Sequence, residues 1–151
     1  MSELAITMRE RVERLESLLE NTPQVECPLR HRFAPGVYMR EMLVPAGTVA
    51  TGAVHKTEHL TVVVGHCHLT TDEGMQEFIG YASFASKPGA KRAIYAVQDT
   101  IVTTIHPTDE TDLDKLCELL TESKKDELLG GEKNRQANKQ IAAQARKELE
   151  N

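Results

Sequence analysis

The residues best suited to chemistry lie in one short segment, Gly52-Ala-Val-His55-Lys-Thr-Glu58-His59. Two imidazoles and a carboxylate within five residues are donors that divalent transition metals accept. On a regular strand His55 and His59 share one face and Glu58 points to the other, so all three converge only where the backbone is irregular. The segment predicts a metal site made of two or three of His55, Glu58 and His59. The alternative is that His59 is a surface histidine and His55 lies at a hairpin corner.

Arg92 is the second candidate, because it follows the turn Pro88-Gly89 and opens an apolar strand. It stands two positions before Ile94, which we expect to face inward. An inward guanidinium keeps its charge and therefore needs a carboxylate or an anionic ligand. Two interpretations stay open, an internal pair with Glu58 and the binding of a small anion. Arg40 adds positive charge near the first strand, either at the surface or in the same anion site.

The other histidines and the cysteines carry weaker signals. His66 and His68 share a strand face that we expect to be solvated, and His106 closes the last strand, where a histidine is typically at the surface. Three cysteines are spaced too widely for a zinc motif or a disulfide framework, which indicates a reducing compartment. They are Cys27, Cys67 and Cys117. The chain has no Ser-His-Asp set, glycine-rich phosphate loop or dinucleotide fingerprint, so no residue is assigned a catalytic role.

These candidates must be positioned by strands, since turn-forming residues divide 27–106 into short segments rich in β-branched and aromatic residues. We predict strands near 37–44, 48–54, 57–64, 66–71, 76–79, 81–85, 92–97 and 100–105. Many short strands at regular spacing are typical of a sandwich or a barrel. The sequence therefore predicts a mainly β domain over 27–106.

Amphipathic helices flank this region. Apolar residues at helical spacing predict a helix over 1–22, which Pro23 stops. A second helix is predicted over 107–129, with Thr108 as its N-cap and acidic residues in its first turns. Residues 130–151 are very polar and form a helix or tail, either solvated or packed on a partner subunit. Two amphipathic helices and a sheet with edges to cover predict a homo-oligomer, most simply a dimer.

Composition limits the function classes. A chain of 151 residues with 40% hydrophobic and 27% charged residues suits one globular domain with a real core. The net charge of -5 and the absence of Trp argue against a nucleic-acid partner. The longest apolar runs are only a few residues, and the first residues lack the apolar core of a signal peptide. We therefore expect neither membrane insertion nor export.

The spacing around the candidate residues resembles the cupin family. Glu58 followed by six residues and Gly65 matches the second half of the first cupin motif. Pro88-Gly89-Ala-Lys-Arg92 is similar to the second motif, in which a Pro/Gly turn leads to a histidine. The resemblance covers roughly 35–106, and it implies a cupin-like jelly-roll β-barrel with a central pocket, flanked here by the two helical segments.

The chain departs from the family at the metal positions. Thr51 and Ala53 stand at the two histidine positions of the first motif, and Arg92 stands at the third, so of the usual four ligands Glu58 alone remains. Because a guanidinium repels a cation, the pocket suits a small anionic, nucleotide-like molecule better. No cofactor is expected, although a divalent transition metal is possible. The expected ligand-binding residues are Arg92, Glu58, His55, Arg40 and Tyr95.

More narrowly, several stretches are similar to small bacteriophage-encoded cupin-like proteins. They are Phe33-Ala-Pro-Gly-Val-Tyr38-Met-Arg40-Glu, Pro45-Ala-Gly-Thr, His55-Lys-Thr-Glu-His59, Pro88-Gly-Ala-Lys-Arg92 and His106-Pro-Thr-Asp-Glu-Thr-Asp112. This resemblance implies a viral protein in the cytoplasm of a bacterial host, where a binding protein could sequester a host metabolite or signal.

Two alternatives to a binding protein stay open. One is a cupin enzyme, either a metal-dependent oxygenase or a metal-free sugar isomerase or epimerase in which His55, Tyr38 and Tyr95 move protons. The other is a virion-associated structural protein that assembles through its terminal helices and binds no ligand. A pocket filled with side chains would favour the structural role.

Overall fold

The computed structural model describes residues 7–122 and 146–150. Within them the elements follow in the order α1 (Met8–Leu19), β1 (Leu29–Ala34), β2 (Val37–Val44), β3 (Val49–Thr51), β4 (His59–Thr71), β5 (Gly74–Ser86), β6 (Ala93–Ala96), β7 (Thr100–Pro107) and α2 (Leu113–Leu120). Residues 146–150 are helical. The predictions made for 1–6, for 123–145 and for residue 151 lie outside the described residues.

The seven strands form one antiparallel sheet in the order β1-β2-β7-β4-β6-β3, with β5 paired to β4. The first half of β4 pairs with β7 through Leu60–Val64, and its second half pairs with β6 through Cys67–Leu69. Because β4 changes partners along its length, the sheet curls into a half-barrel with one concave face. The predicted mainly β class, a curled antiparallel barrel-like sheet with a few helices, is confirmed.

Strands β4 and β5 form one long hairpin rather than four short strands. The predicted strands 57–64 and 66–71 are the single strand β4, and 76–79 and 81–85 are the single strand β5. Gly65 does not turn the chain but has φ +142° inside β4, opposite Gly80. A Cβ on Gly65 would lie 2.6 Å from Thr100 Oγ1 and 2.8 Å from Thr100 Cα, so the close approach of β7 requires glycine there.

Alternation along the strands builds the core on the concave side. Its buried members come from β2, β4 and β6 and are Val44, Val63, Cys67, Leu69, Ile94 and Ala96. A second cluster, formed by Tyr38, Leu116 and Leu120, holds α2 against the sheet. Cys67 is fully buried and Cys117 is 6% exposed, so the prediction that both are small core residues is confirmed.

Helix α1 lies across the barrel mouth. It starts at a capping box in which Thr7 Oγ1 accepts from the Glu10 backbone N–H at 3.2 Å and the Glu10 carboxylate accepts from that of Thr7 at 3.3 Å. Farther along the helix, the Glu16 carboxylate accepts from Thr51 Oγ1 at 2.7 Å and pairs with Lys91 Nζ at 3.0 Å. These contacts tie α1 to β3 and to the segment that precedes β6.

Helix α2 is shorter than the predicted 107–129 helix. Its N-cap is Asp112 rather than Thr108, because the backbone N–H of Thr108 donates to the Gly36 carbonyl at 3.1 Å and keeps that segment extended. The helix ends at Leu120, and Thr121 forms a short antiparallel bridge with His55. No helix within the described ranges is long and apolar enough to cross a membrane.

Candidate functional site

The concave face of the sheet lines an open cavity of about 950 Å³. It is lined by residues of β2, of β7 and of the segment 47–55, and also by residues of α1 and α2. Pocket volumes of this size are typical of small-molecule sites. The cavity is therefore the candidate binding site of this fold.

Strand register places polar side chains in rows across the cavity wall. Tyr38 on β2 is the cross-strand neighbour of His106 on β7, and Arg40 is that of Thr104. Thr104 in turn pairs with Thr61 of β4. Continuing this register by two residues sets His106 beside His59, and the two rings lie 4.7 Å apart.

His55 reaches the same place from the segment between β3 and β4. Its backbone is held on two sides, since its N–H donates to the Ala90 carbonyl at 3.3 Å and its carbonyl accepts from the Gly89 N–H at 2.8 Å. Its ring lies 4.2 Å from that of His59 and 5.6 Å from that of His106. Three imidazoles thus converge from separate parts of the chain.

The ring nitrogens of this cluster lie close enough together to hold a metal ion. One nitrogen from each of His55, His59 and His106 lies within 4.8 Å of the others. Nδ1 of His59 lies 3.1 Å from the Thr57 carbonyl, so Nδ1 carries the proton and Nε2 keeps its lone pair. Nδ1 of His55 and Nδ1 of His106 are buried and have no hydrogen-bond partner among residues 7–122 and 146–150. Buried polar atoms without partners are costly, and a metal ion would satisfy them.

The electrostatics of the cavity keep these imidazoles neutral. Burial, followed by the neighbouring histidines and Arg40, lowers the pKa of His55 to about 3 and that of His106 to about 4. Burial also lowers the pKa of His59. A neutral imidazole is the form that binds a metal, so at neutral pH all three can act as ligands without losing a proton.

Two cationic side chains, Arg40 and Lys91, line the cavity. Arg40, half-buried in the wall, contributes to the lowered pKa values of His31, His55 and His106. Burial lowers the pKa of Arg40 itself, but a guanidinium stays protonated in proteins. Glu16 pairs with Lys91.

Tyr38 lines the cavity between these groups. Its hydroxyl lies 2.6 Å from His31 Nδ1, and burial raises the pKa of the phenol to about 12. Tyr38 is therefore a neutral hydrogen-bonding group at neutral pH, and the raised pKa disfavours the proton-transfer role considered for it.

Two of the five expected ligand-binding residues, His55 and Arg40, line the cavity. Glu58 is exposed and points away from it, as strand alternation from His59 requires. Tyr95 lies on the outer face of the sheet, 43% exposed, with its ring stacked on that of His68. Arg92 is outside the cavity wall as well.

The contacts of Arg92 connect β4 and β5 of the sheet instead of facing the cavity. Its guanidinium donates to the Thr70 carbonyl at 2.9 Å and to Ser86 Oγ at 3.2 Å, and it lies 4.9 Å above the Phe84 ring. The guanidinium forms no ion pair with Glu58 within the described residues, so the first of the two open interpretations, an internal Arg92–Glu58 pair, is wrong.

The metal-ligand set also differs from the predicted one. The structure brings His55 and His59 together as expected but replaces Glu58 with His106. The expectation that His106 is a surface residue is wrong, since it is 2% exposed. The signal that could have identified it is alternation along 100–105, which puts Val102, Thr104 and His106 on one face.

Comparisons with known proteins return cupin-domain structures. The chain is similar to the Cupin_2 domain of an XRE family transcriptional regulator from Enterobacter cloacae, with 11% identity and a TM-score of 0.46 over 56% of this chain and 99% of that one. A cupin-2 domain protein from Shewanella frigidimarina shares 12% identity, with a TM-score of 0.44 over 67% and 99% of the two chains. A cupin superfamily protein from Desulfitobacterium hafniense shares 11%, with a TM-score of 0.47 over 72% and 94%. No protein-family model matches the chain, and no curated protein does.

Proposed function

We propose that this chain binds one divalent transition metal through His55, His59 and His106 and holds a small anionic molecule beside it in the barrel cavity. The observation that carries the proposal is the buried, unpartnered Nδ1 of both His55 and His106 within a cluster of neutral imidazoles. Imidazole nitrogens suit zinc, copper, iron and nickel better than magnesium or calcium. Such a metal would supply a Lewis-acidic position for an oxygen of the anion.

Charge balance supports an anionic ligand. Three neutral histidines contribute no charge that offsets that of a divalent metal. The cavity lining also holds the carboxylates of Glu16, Glu20, Glu26 and Glu122, of which Glu16 pairs with Lys91 at 3.0 Å and Glu122 pairs with Arg9 at 2.8 Å. An anion bound at the metal would offset the metal's charge, and the Arg40 guanidinium in the same lining is a group that binds anions well.

The size of the cavity supports the nucleotide-like class suggested by the sequence. About 950 Å³ lies near the upper end of ordinary small-molecule pockets, which leaves room for a nucleotide or a sugar nucleotide. An open cavity also disfavours the purely structural alternative, for which a filled pocket was expected. Action on a host metabolite or signal in a bacterial cytoplasm, by a protein of viral origin, is the biological setting that the resemblance suggests for such a binder.

A metal-dependent cupin enzyme is the second candidate. The observation that favours it is the ligand count, because three protein ligands leave coordination positions open, as in catalytic rather than structural sites. A catalytic centre would convert the bound anion, whereas a binding protein would release it unchanged.

Titration of chelator-treated protein with Zn²⁺ and Co²⁺ tests the metal. We expect one equivalent per chain by calorimetry and by elemental analysis, and at least a hundredfold weaker binding in His59→Gln and His106→Gln. The matched control is His68→Gln, which removes a histidine beside Glu77 on the outer face. Equal metal affinity in His106→Gln and in wild type would exclude the proposed centre.

A thermal-shift screen of nucleotides, cyclic nucleotides and sugar phosphates, with and without Zn²⁺, tests the anion. A ligand at a hundredfold excess over its dissociation constant stabilises the fold by about 2.7 kcal/mol. We expect the shift from an active anion to disappear in Arg40→Met. A shift that survives this substitution unchanged would remove Arg40 from the site, and mass spectrometry of the recovered anion would separate binding from turnover.

A further inference from the structure

The outer face of the sheet exposes a group of large apolar side chains. Five of them lie on three neighbouring strands and are Leu60 at 54%, Val64 at 46%, Ile79 at 70%, Tyr81 at 69% and Ile101 at 42%. Single exposed apolar residues are ordinary, but a contiguous patch of this kind marks an interaction surface.

Strand register organises this face into rows that cross four strands, in the order β2, β7, β4 and β5. One apolar row consists of Leu43, Ile101, Val64 and Tyr81. A second consists of Met39, Ile105, Leu60 and Ala85. Between them runs a more polar row of Glu41, Thr103, Val62 and Ser83.

We infer that this face binds a second copy of the chain, with the two-fold axis parallel to the strands and between β7 and β4. Under that symmetry each row packs on itself in reverse order. Tyr81 then lies over the partner's Leu43, and Val64 lies over the partner's Ile101. Leu60 lies over the partner's Ile105. Two twisted sheets pack in this way with their strands within about 30° of each other.

Charge and size both favour this axis. Glu41, which pairs with Arg32 at 2.8 Å, meets the partner's Ser83 at the rim. A two-fold axis perpendicular to the strands, through the polar row, would instead set Glu41 against the partner's Glu41, and like charges across an interface are unfavourable. The reversed order also puts the smallest side chain of its row, Ala85, opposite the long side chain of the partner's Met39.

The proposed interface must bury both apolar rows. Their most exposed members, Leu60, Val64, Tyr81 and Ile101, are 42–69% exposed. A specific interface buries about 800 Å² on each partner, so these residues must be covered together with the less exposed members of both rows. The inference does not depend on the metal centre, because the two sites lie on opposite faces of the sheet.

Light scattering on the full chain tests the inference first. We expect the wild type to show twice the monomer mass of 16.8 kDa at micromolar concentration. Tyr81→Glu buries two charges in the interface and should give the monomer mass. The matched control is Met75→Glu, a change at a residue of the same strand that is 65% exposed and lies outside both rows, and it should stay dimeric.

A thiol cross-link tests the axis itself. In the double variant Leu43→Cys/Tyr81→Cys the two positions of one chain lie three strand spacings apart, about 14 Å. Across the proposed axis they face each other at the spacing of packed sheets, about 10 Å, so a thiol-specific cross-linker of about that length should give a covalent dimer, while each single variant should not.

A monomeric wild type would overturn the inference, whether the face stays open or the chain's own residues 123–145 cover it. A dimer that survives Tyr81→Glu would also overturn it, since contacts elsewhere would then hold the subunits together. Failure of the double variant to cross-link, in a chain that is still dimeric, would refute the proposed axis.

Discussion

Acidification should destabilise the metal-free chain through its buried histidines. The pKa of His55 is about 3 and that of His106 is about 4 in the folded state, against about 6.5 for an ordinary histidine in an unfolded chain. As the pH falls through 6.5, the unfolded chain takes up protons that the folded chain does not. The free energy of unfolding therefore rises with pH over this range. The contribution of the two histidines is fully present above pH 6.5, and it is lost as the pH falls from 6.5 toward their folded-state pKa values of about 4 and 3.

The magnitude follows from the size of these shifts. At about pH 5, roughly 1.5 pH units below the ordinary value, each histidine accounts for about 2 kcal/mol, because one pKa unit corresponds to about 1.4 kcal/mol. His55 and His106 together give at most about 4 kcal/mol, since His55 is only partly buried. The carboxylates of an unfolded chain are still mostly ionised at that pH, so the histidines dominate the difference.

Urea unfolding of chelator-treated protein at about pH 5 and 7.5 measures this difference. His106→Gln keeps a polar group near Thr104 but cannot titrate, so the difference should shrink by about 2 kcal/mol. His68→Gln is the matched control and should behave as wild type. If His106→Gln keeps the full wild-type difference, the burial of His106 is not a source of the pH dependence.

Two further substitutions test residues that position the site. Gly65→Ala adds a Cβ within 2.8 Å of the Thr100 backbone, whereas Gly80→Ala, at φ +85° with nothing within 4 Å, adds backbone strain alone. Urea unfolding should therefore show Gly65→Ala to be at least ~1 kcal/mol less stable than Gly80→Ala. Equal stabilities would contradict the close approach of β7. Arg92→Ala should cost about 2 kcal/mol in the same assay, since Thr70 and Ser86 lose a donor. It should leave anion-induced thermal shifts in place, and their loss would return Arg92 to the binding site.

The fold class was predictable because strand patterns are local. Alternating apolar residues and turn formers identify β2, β4 and β7 without knowledge of their partners. The division of β4 at Gly65 was wrong for a physical reason. Glycine is favoured both in turns and where another backbone approaches closely, and the sequence does not distinguish these cases. β1 was missed because its exposed, charged residues 29–34 lack the apolar alternation of a core strand.

The candidate site was predictable only in part, for a related reason. His55 and His59 lie close in sequence, so their spacing alone suggests a shared site. His106 joins them through the register between β4 and β7, a non-local pairing that composition does not reveal. Glu58 matched the family motif, yet alternation from His59 turns it outward, and here geometry outweighs the motif.

The same geometry links the two proposed ligands to each other. Arg40 contributes to the lowered pKa values of His55 and His106, so its charge is felt at both imidazoles and would also oppose a cation there. An anion bound between Arg40 and the histidines would reduce that repulsion, and a metal would in turn attract the anion. By thermodynamic linkage each ligand then raises the affinity for the other by the same factor. In the proposed site, anion binding would therefore strengthen metal binding, and metal binding would strengthen anion binding.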